Sequence, residues 1–195
     1  MDRTVDVKGK RAFAELLADR KGLLNEARYE PQVQAIVAAI VRAFKSGNKV
    51  LWCGNGGSAA DAQHLAAEFS GRFLRERPAL PSEALSVNPS AVTAIGNDYG
   101  YDRVFSRQVE AHARAGDVVV GITTSGTSKN VVLALEAAKA QGALTIAFTG
   151  NGGGTVAQIA DLLLVGPDGY SAIVQEVHIT MGHIICDLVE QALYL

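Results

Sequence analysis

Apolar residues recur along this chain in two rhythms. Between roughly Lys10 and Ala27, Phe13, Leu16, Leu17, Leu23 and Leu24 fall at helical spacing and predict a first helix. After Pro31, a stripe of Val33, Ile36, Val37, Ile40, Val41 and Phe44 predicts a second. Ser46-Gly47-Asn48 ends it, since a glycine just past the last periodic residue is a helix stop. From Lys49 the rhythm changes to short apolar runs. Those at 49–53, 117–122, 144–148 and 162–165 read as buried strands, with a weaker one near 83–87. Helical stretches separate them at 59–71, 90–95, 103–114 and 129–141, and a long terminal helix is expected from about Ser171 to Leu195.

Short apolar strands alternating with helices predict an α/β fold with a parallel sheet covered on both faces. Five strands and right-handed crossovers point to a flavodoxin-like three-layer sandwich. The pattern has no linker and no internal repeat, so residues 1–195 read as one domain. Residues 1–46 precede the first strand and supply extra N-terminal helices, packed on the domain or on a neighbouring subunit.

Composition narrows the function by exclusion. Net charge is −2, from 18 Lys+Arg against 20 Asp+Glu, with no block of one sign, so nothing marks a nucleic-acid or anionic-membrane surface. Cys53 and Cys186 lie in apolar segments and read as buried free thiols rather than a disulfide or a CxxC metal clip. The N-terminus, MDRTVDVKGKRAF, has no apolar signal core, and no uninterrupted apolar run approaches the ~18 residues of a membrane span. A soluble, cytoplasmic protein is expected.

Three loops at the carboxyl edge of the predicted sheet have unusual composition. They are Gly54-Asn55-Gly56-Gly57-Ser58, Thr123-Thr124-Ser125-Gly126-Thr127-Ser128 and the stretch from Thr149 to Gly154. The first two run straight into helices, where backbone N–H groups favour an anion and small residues let a phosphate come close. Neither loop carries the Lys of a P-loop, and GNGGS is not GxGxxG, which disfavours a nucleoside triphosphate or a dinucleotide. Glycine loops and hydroxyl caps also turn ordinary corners in α/β proteins. Two hydroxyl-bearing loops on one edge favour a phosphate site; the third, with no Ser/Thr cluster after it, reads as structural.

Ionisable groups cluster nearby. Asp61, His64 and Glu68 lie on the helix opened by the first loop, and His64 and Glu68, four residues apart, share a face. That spacing suits two metal ligands or an acid/base pair, and equally a plain surface contact. Gln175, Glu176, His178 and His183 sit among apolar residues of the terminal helix.

The blocks GNGGSAADAQHLAAEFSGRF, TAIGNDYG, GDVVVGITTSGTSKNV and QEVHITMGHI, in this order, resemble the signature blocks of bacterial phosphoheptose isomerases, members of the SIS (sugar isomerase) domain family. The resemblance extends from about Ala35 to the C-terminus. It implies interconversion of sedoheptulose 7-phosphate and D-glycero-D-manno-heptose 7-phosphate through an enediol, serving lipopolysaccharide or another heptose-containing glycan. It also implies a homotetramer with one zinc per subunit, ligated by His64, Glu68, Gln175 and His183. Glu68 and His183 would be the acid/base pair. Substrate contacts would fall on Asn55, Gly56, Gly57, Ser58, Asn97, Asp98, Thr123, Thr124, Ser125, Ser128 and Gln175. The chain departs from its relatives at Thr123 and Thr127, where Ser and Asn are common, and at Ile173, where Arg or Lys is common.

Two other classes share these loops. In a non-catalytic SIS protein that binds the replication initiator, the counterparts of Glu68 and His183 are replaced, whereas both are present here. SIS regulators carry a fused DNA-binding domain, for which 195 residues leave no room. Helix arithmetic adds one expectation. Gln175 and His183 are eight residues apart, about 12 Å along a helix, so the His64/Glu68 helix should lie across the gap. Because the terminal helix is apolar on several faces, it is expected in a subunit interface, with a site completed on assembly; the alternative is a site within one chain.

Overall fold

Strands β1 (Val50–Gly54), β2 (Ser82–Ala84), β3 (Val118–Thr123), β4 (Leu144–Thr149) and β5 (Leu162–Val165) form one sheet in the computed structural model, which describes residues 13–24 and 26–195. All four pairings are parallel and the order is β2-β1-β3-β4-β5, as expected for the flavodoxin-like sandwich. The chain leaves β1 toward one edge and β3 toward the other. Their carboxyl ends, Gly54 and Thr123, therefore flank the switch point where such sheets bind ligands.

The helices are α1 (Phe13–Ala18), α2 (Glu26–Lys45), α3 (Gly57–Ser70), α4 (Pro89–Tyr99), α5 (Ser106–His112), α6 (Lys129–Ala140) and α7 (Ser171–Tyr194). Alternation along each strand sends side chains to two cores. Trp52, Val120, Ile122 and Phe148 face α2, α3 and α7, while Leu51, Cys53, Val119 and Ala147 face α5 and α6. Trp52 lies against Phe69 and Phe148, at ring separations of 6.2 and 6.1 Å, and its Nε1 donates to Ser82 Oγ at 2.9 Å. A buried indole N–H thus keeps a partner.

The N-terminal segment departs from its predicted pattern. Instead of one helix to Ala27, α1 ends at Ala18, the chain turns through Gly22 at φ +81°, and α2 begins at Glu26 rather than after Pro31. Lys10, Arg11 and Ala12 lie outside the described residues. Pro31 sits inside α2 although it lacks an amide and crowds the carbonyl one turn back. Packing overrides that local stop: Tyr29 and Val33, on either side of it, are buried in the core shared with α7. Helix α1 buries nothing, and Arg20 just beyond it pairs with Glu176 of α7 at 2.8 Å.

Helix α7 is long and apolar enough to cross a bilayer by length and composition alone. Half of it is buried, and it packs on α2, α3 and β4. At its crossing with α3 a Cβ on Gly182 would lie 2.6 Å from Leu65 Cδ1, so the absent side chain sets the closeness of the two helices.

Candidate active site

Three helices open on one cavity at the switch point. Asn55, Gly56, Gly57 and Ser58 come from the start of α3, Thr123, Thr124 and Ser128 from the loop before α6, and Ser171 and Gln175 from the first turns of α7; Ile122 completes the lining. The cavity has a volume of about 290 Å³ and no Lys or Arg in its lining. None of these three helices has a side-chain cap at its N-terminus, whereas α4 is capped by Asn88, which accepts from the Ala91 amide at 3.1 Å. Uncapped N-termini leave backbone N–H donors, and the positive end of each helix dipole, for an anion. Gly56 makes the turn into α3 at φ +55°, where other residues are strained. At Gly57 a Cβ would lie 2.6 Å from the Gln175 amide, so a larger residue would push that side chain aside.

Side chains hold this cup open by bonding one another. Asn55 and Asn130 exchange two amide hydrogen bonds of 2.8 Å, and Tyr101 OH donates to Asn55 Oδ1 at 3.2 Å. Thr123 Oγ1 lies 2.9 Å from Ser128 Oγ, and Thr124 Oγ1 donates to Ser171 Oγ at 3.1 Å. The third glycine loop braces the second from behind. The Val156 amide donates to the Gly126 carbonyl at 3.0 Å, and Asn151 Nδ2 to the Thr124 carbonyl at 3.2 Å.

Farther along the same two helices the chemistry changes. His64, Glu68 and His183 bring their ligand atoms within 4.8 Å of one another. His64 Nε2 is 2.9 Å from Glu68 Oε1 and 3.4 Å from His183 Nε2. Donors bound tetrahedrally to one ion at 2.0–2.2 Å stand about 3.4 Å apart, so two imidazoles and a carboxylate at these separations fit a divalent metal such as zinc. Burial pushes the His183 pKa down and neighbouring His64 pushes the same way, against Glu68, which favours the neutral, ligating ring. One turn before His64, burial raises the Asp61 carboxyl pKa against the opposing pull of His64, and its Oδ2 is buried without a partner.

The trio is assembled within one chain. The two helices run side by side in the same direction, with Gly57 at Gln175 and Leu65 at Gly182, so α3 does lie across the gap between Gln175 and His183. The Gly182–Leu65 contact already brings α3 and α7 of one chain together, so the two helices need not come from different chains.

A profile of the SIS domain matches residues 18–150. The chain is 53% identical over 192 residues to the phosphoheptose isomerase of Citrifermentans bemidjiense, covering 98% of this chain and 97% of that one. The chain belongs to the phosphoheptose isomerase family. The solved structure of phosphoheptose isomerase GmhA from Neisseria gonorrhoeae superposes with a TM-score of 0.84 at 45% identity, over 91% of this chain and 96% of that one. A phosphoheptose isomerase from Francisella tularensis gives 0.82 at 34% identity, over 91% and 92%. The SIS profile itself stops at Gly150, before Gln175 and His183.

Among the residues singled out for the phosphoheptose isomerase reading, the fold gathers two groups. Asn55, Gly56, Gly57, Ser58, Thr123, Thr124, Ser128 and Gln175 line the cup, and His64, Glu68 and His183 form the trio. Ser125 is exposed beside the cup, accepting from Thr127 Oγ1 at 3.1 Å, and does not line it. Asn97 and Asp98 are exposed on the last turn of α4, bonded to each other at 2.8 Å, and do not line it either. Sequence reasoning missed Ser171, Asn130 and Tyr101, whose partners lie 47, 75 and 46 residues away. Ser171 alone had a local signal, a hydroxyl residue opening the terminal helix. Ile173 is buried at 5% exposure.

Proposed function

We propose that this enzyme interconverts sedoheptulose 7-phosphate and D-glycero-D-manno-heptose 7-phosphate through an enediol. The carrying observation is the pairing of an anion cup with an ionisable trio on α3 and α7. From Gly57 to His64 is seven residues, about 10 Å along α3, the reach of an extended heptose from phosphate to carbonyl. Donors of the cup hold the phosphate equally before and during reaction, so they orient the sugar without taking part in bond changes. Glu68, with its side chain one-fifth exposed, would move the proton between C1 and C2, and His183 would serve the sugar oxygens. His64, Glu68 and His183 would hold the zinc, while Gln175, the fourth ligand the resemblance implies, lines the cup beside Gly57. Bound there, the ion supplies a Lewis acid beside the carbonyl.

Finer assignments are proposed with it. The whole chain is taken as one SIS unit, and Asn97, Asp98 and Ser125 remain candidate substrate contacts. A homotetramer accords with the exposed Phe13, Leu16, Leu17, Leu24 and Ile184, and the cytoplasm with two buried free cysteines. A role in lipopolysaccharide or another heptose glycan follows from the product. The test is incubation with sedoheptulose 7-phosphate, with and without a chelator, reading the aldose by NMR. Aldose formation that the chelator abolishes is expected; no aldose from metal-loaded protein would refute the assignment.

A further inference from the structure

We propose that Arg77 and Glu190 form a buried positioning clasp that sets the spacing of His64, Glu68 and His183 and thereby the affinity of that trio for a divalent metal. The proposal rests on the metal reading above. Both side chains are fully buried, and their Nε–Oε1 distance is 3.0 Å. Every group on them finds a use. Glu190 accepts from the amides of Phe73, Leu74 and Arg75 at 2.9, 3.0 and 3.0 Å. Arg77 donates to the carbonyls of Glu68, Phe69, Gly71 and Pro78 at 2.7, 2.8, 3.1 and 3.0 Å. Burial alone would raise the Glu190 pKa; the three amides and the guanidinium outweigh it and hold the carboxyl below its usual value.

Two of these contacts lead straight into the trio. Arg77 Nη2 grips the backbone of Glu68 itself, at the end of α3. Glu190 fixes the amide of Phe73, whose ring stacks on His183 at 5.5 Å and 17°. Glu190 lies seven residues after His183, two turns on and on the same face of α7. Arg75, next to the clamped amides, adds a second tie to α7 through Asp187 at 2.7 Å. One carboxylate thus pins the turn after α3 onto the helix that carries His183, so the ligands on the two helices cannot shift independently. The His64 side chain is half exposed and has little packing of its own to hold it.

A buried ion pair could instead serve the fold alone, and loss of stability would not tell the two apart. The discriminating readout is Co²⁺ affinity of the metal-free full chain, followed by the visible absorption of the bound ion. Three variants are compared with the parent. Phe73→Leu keeps a half-buried apolar group but removes the ring from His183. Arg77→Lys keeps the charge but loses the fork that reaches the Glu68 carbonyl. Val109→Ala, on α5, makes a cavity in the opposite core. Groups that orient metal ligands typically change affinity 10–100-fold, and a loss in that range is expected for Phe73→Leu and Arg77→Lys, with none for Val109→Ala. If Arg77→Lys fails to fold, Phe73→Leu carries the test. Unchanged affinity in folded Phe73→Leu, or an equal loss in Val109→Ala, overturns the clasp while leaving the metal reading intact. A parent protein that binds no Co²⁺ overturns the metal reading and the clasp with it.

Discussion

Helices α3 and α7 run side by side between two sites made of opposite materials. The cup at their N-terminal end is built from amides, hydroxyls and helix termini, with no Lys or Arg in its lining. The trio farther along is built from titratable groups, half exposed at His64 and held by neighbours. On the proposed function, the contrast follows from what each site must do. A phosphate keeps its charge through an aldose–ketose shift, so fixed dipoles suffice and add no competing base. The carbons and oxygens at the other end exchange protons, which needs side chains that can change state. Rigidity is supplied differently as well. The cup's side chains bond one another, whereas the trio depends on a clasp buried beneath it.

The hardest blow to this comparison falls on the trio. Glu68→Gln and His183→Gln should each lower kcat by ~10²–10⁴-fold while the protein stays folded by circular dichroism. Near-parental turnover in both would move the chemistry elsewhere.

A second prediction separates the frame from both sites. His178 is fully buried on α7, with Nε2 2.8 Å from the Thr149 carbonyl, and burial lowers its pKa to about 4. Because the folded value lies below the ordinary one near 6.5, the unfolded chain takes the proton more readily between them. Stability is therefore fully present above about pH 6.5 and falls as pH drops toward 4, by about 3 kcal/mol in all. Urea unfolding at pH 7.5 and 5 should show the slope, and His178→Gln should flatten it. An unchanged slope would mean that other groups dominate acid lability.

The smallest effects belong to the cup. Thr124→Val and Ser171→Ala should each raise KM by several-fold, about 1 kcal/mol, and leave kcat nearly unchanged. Ser125→Ala should do less, since that hydroxyl faces out of the cavity lining. Depressed kcat at normal KM would place this loop at the reacting end of the sugar and undo the division of labour.

By itself, the sequence determined the sheet and singled out the groups proposed to react. Apolar runs bounded by glycine loops located β1, β3, β4 and β5 to within a residue or two, because a strand buried on both faces leaves an uninterrupted signal. The four-residue spacing of His64 and Glu68 was equally legible, since helix geometry alone puts them side by side. Tertiary structure decided the rest. Pro31 reads as the boundary before the second helix and lies inside it, because burial of Tyr29 and Val33 outweighs a missing amide. Ser171, Asn130 and Phe73 gain their roles from partners far away in the chain, and nothing local records them. Arg77 and Glu190 are 113 residues apart and look like surface charges in the sequence. Only when α3 and α7 pack together does the folded chain shut water out from between them, and two ordinary charges become a buried pair whose every hydrogen bond must be met within the protein.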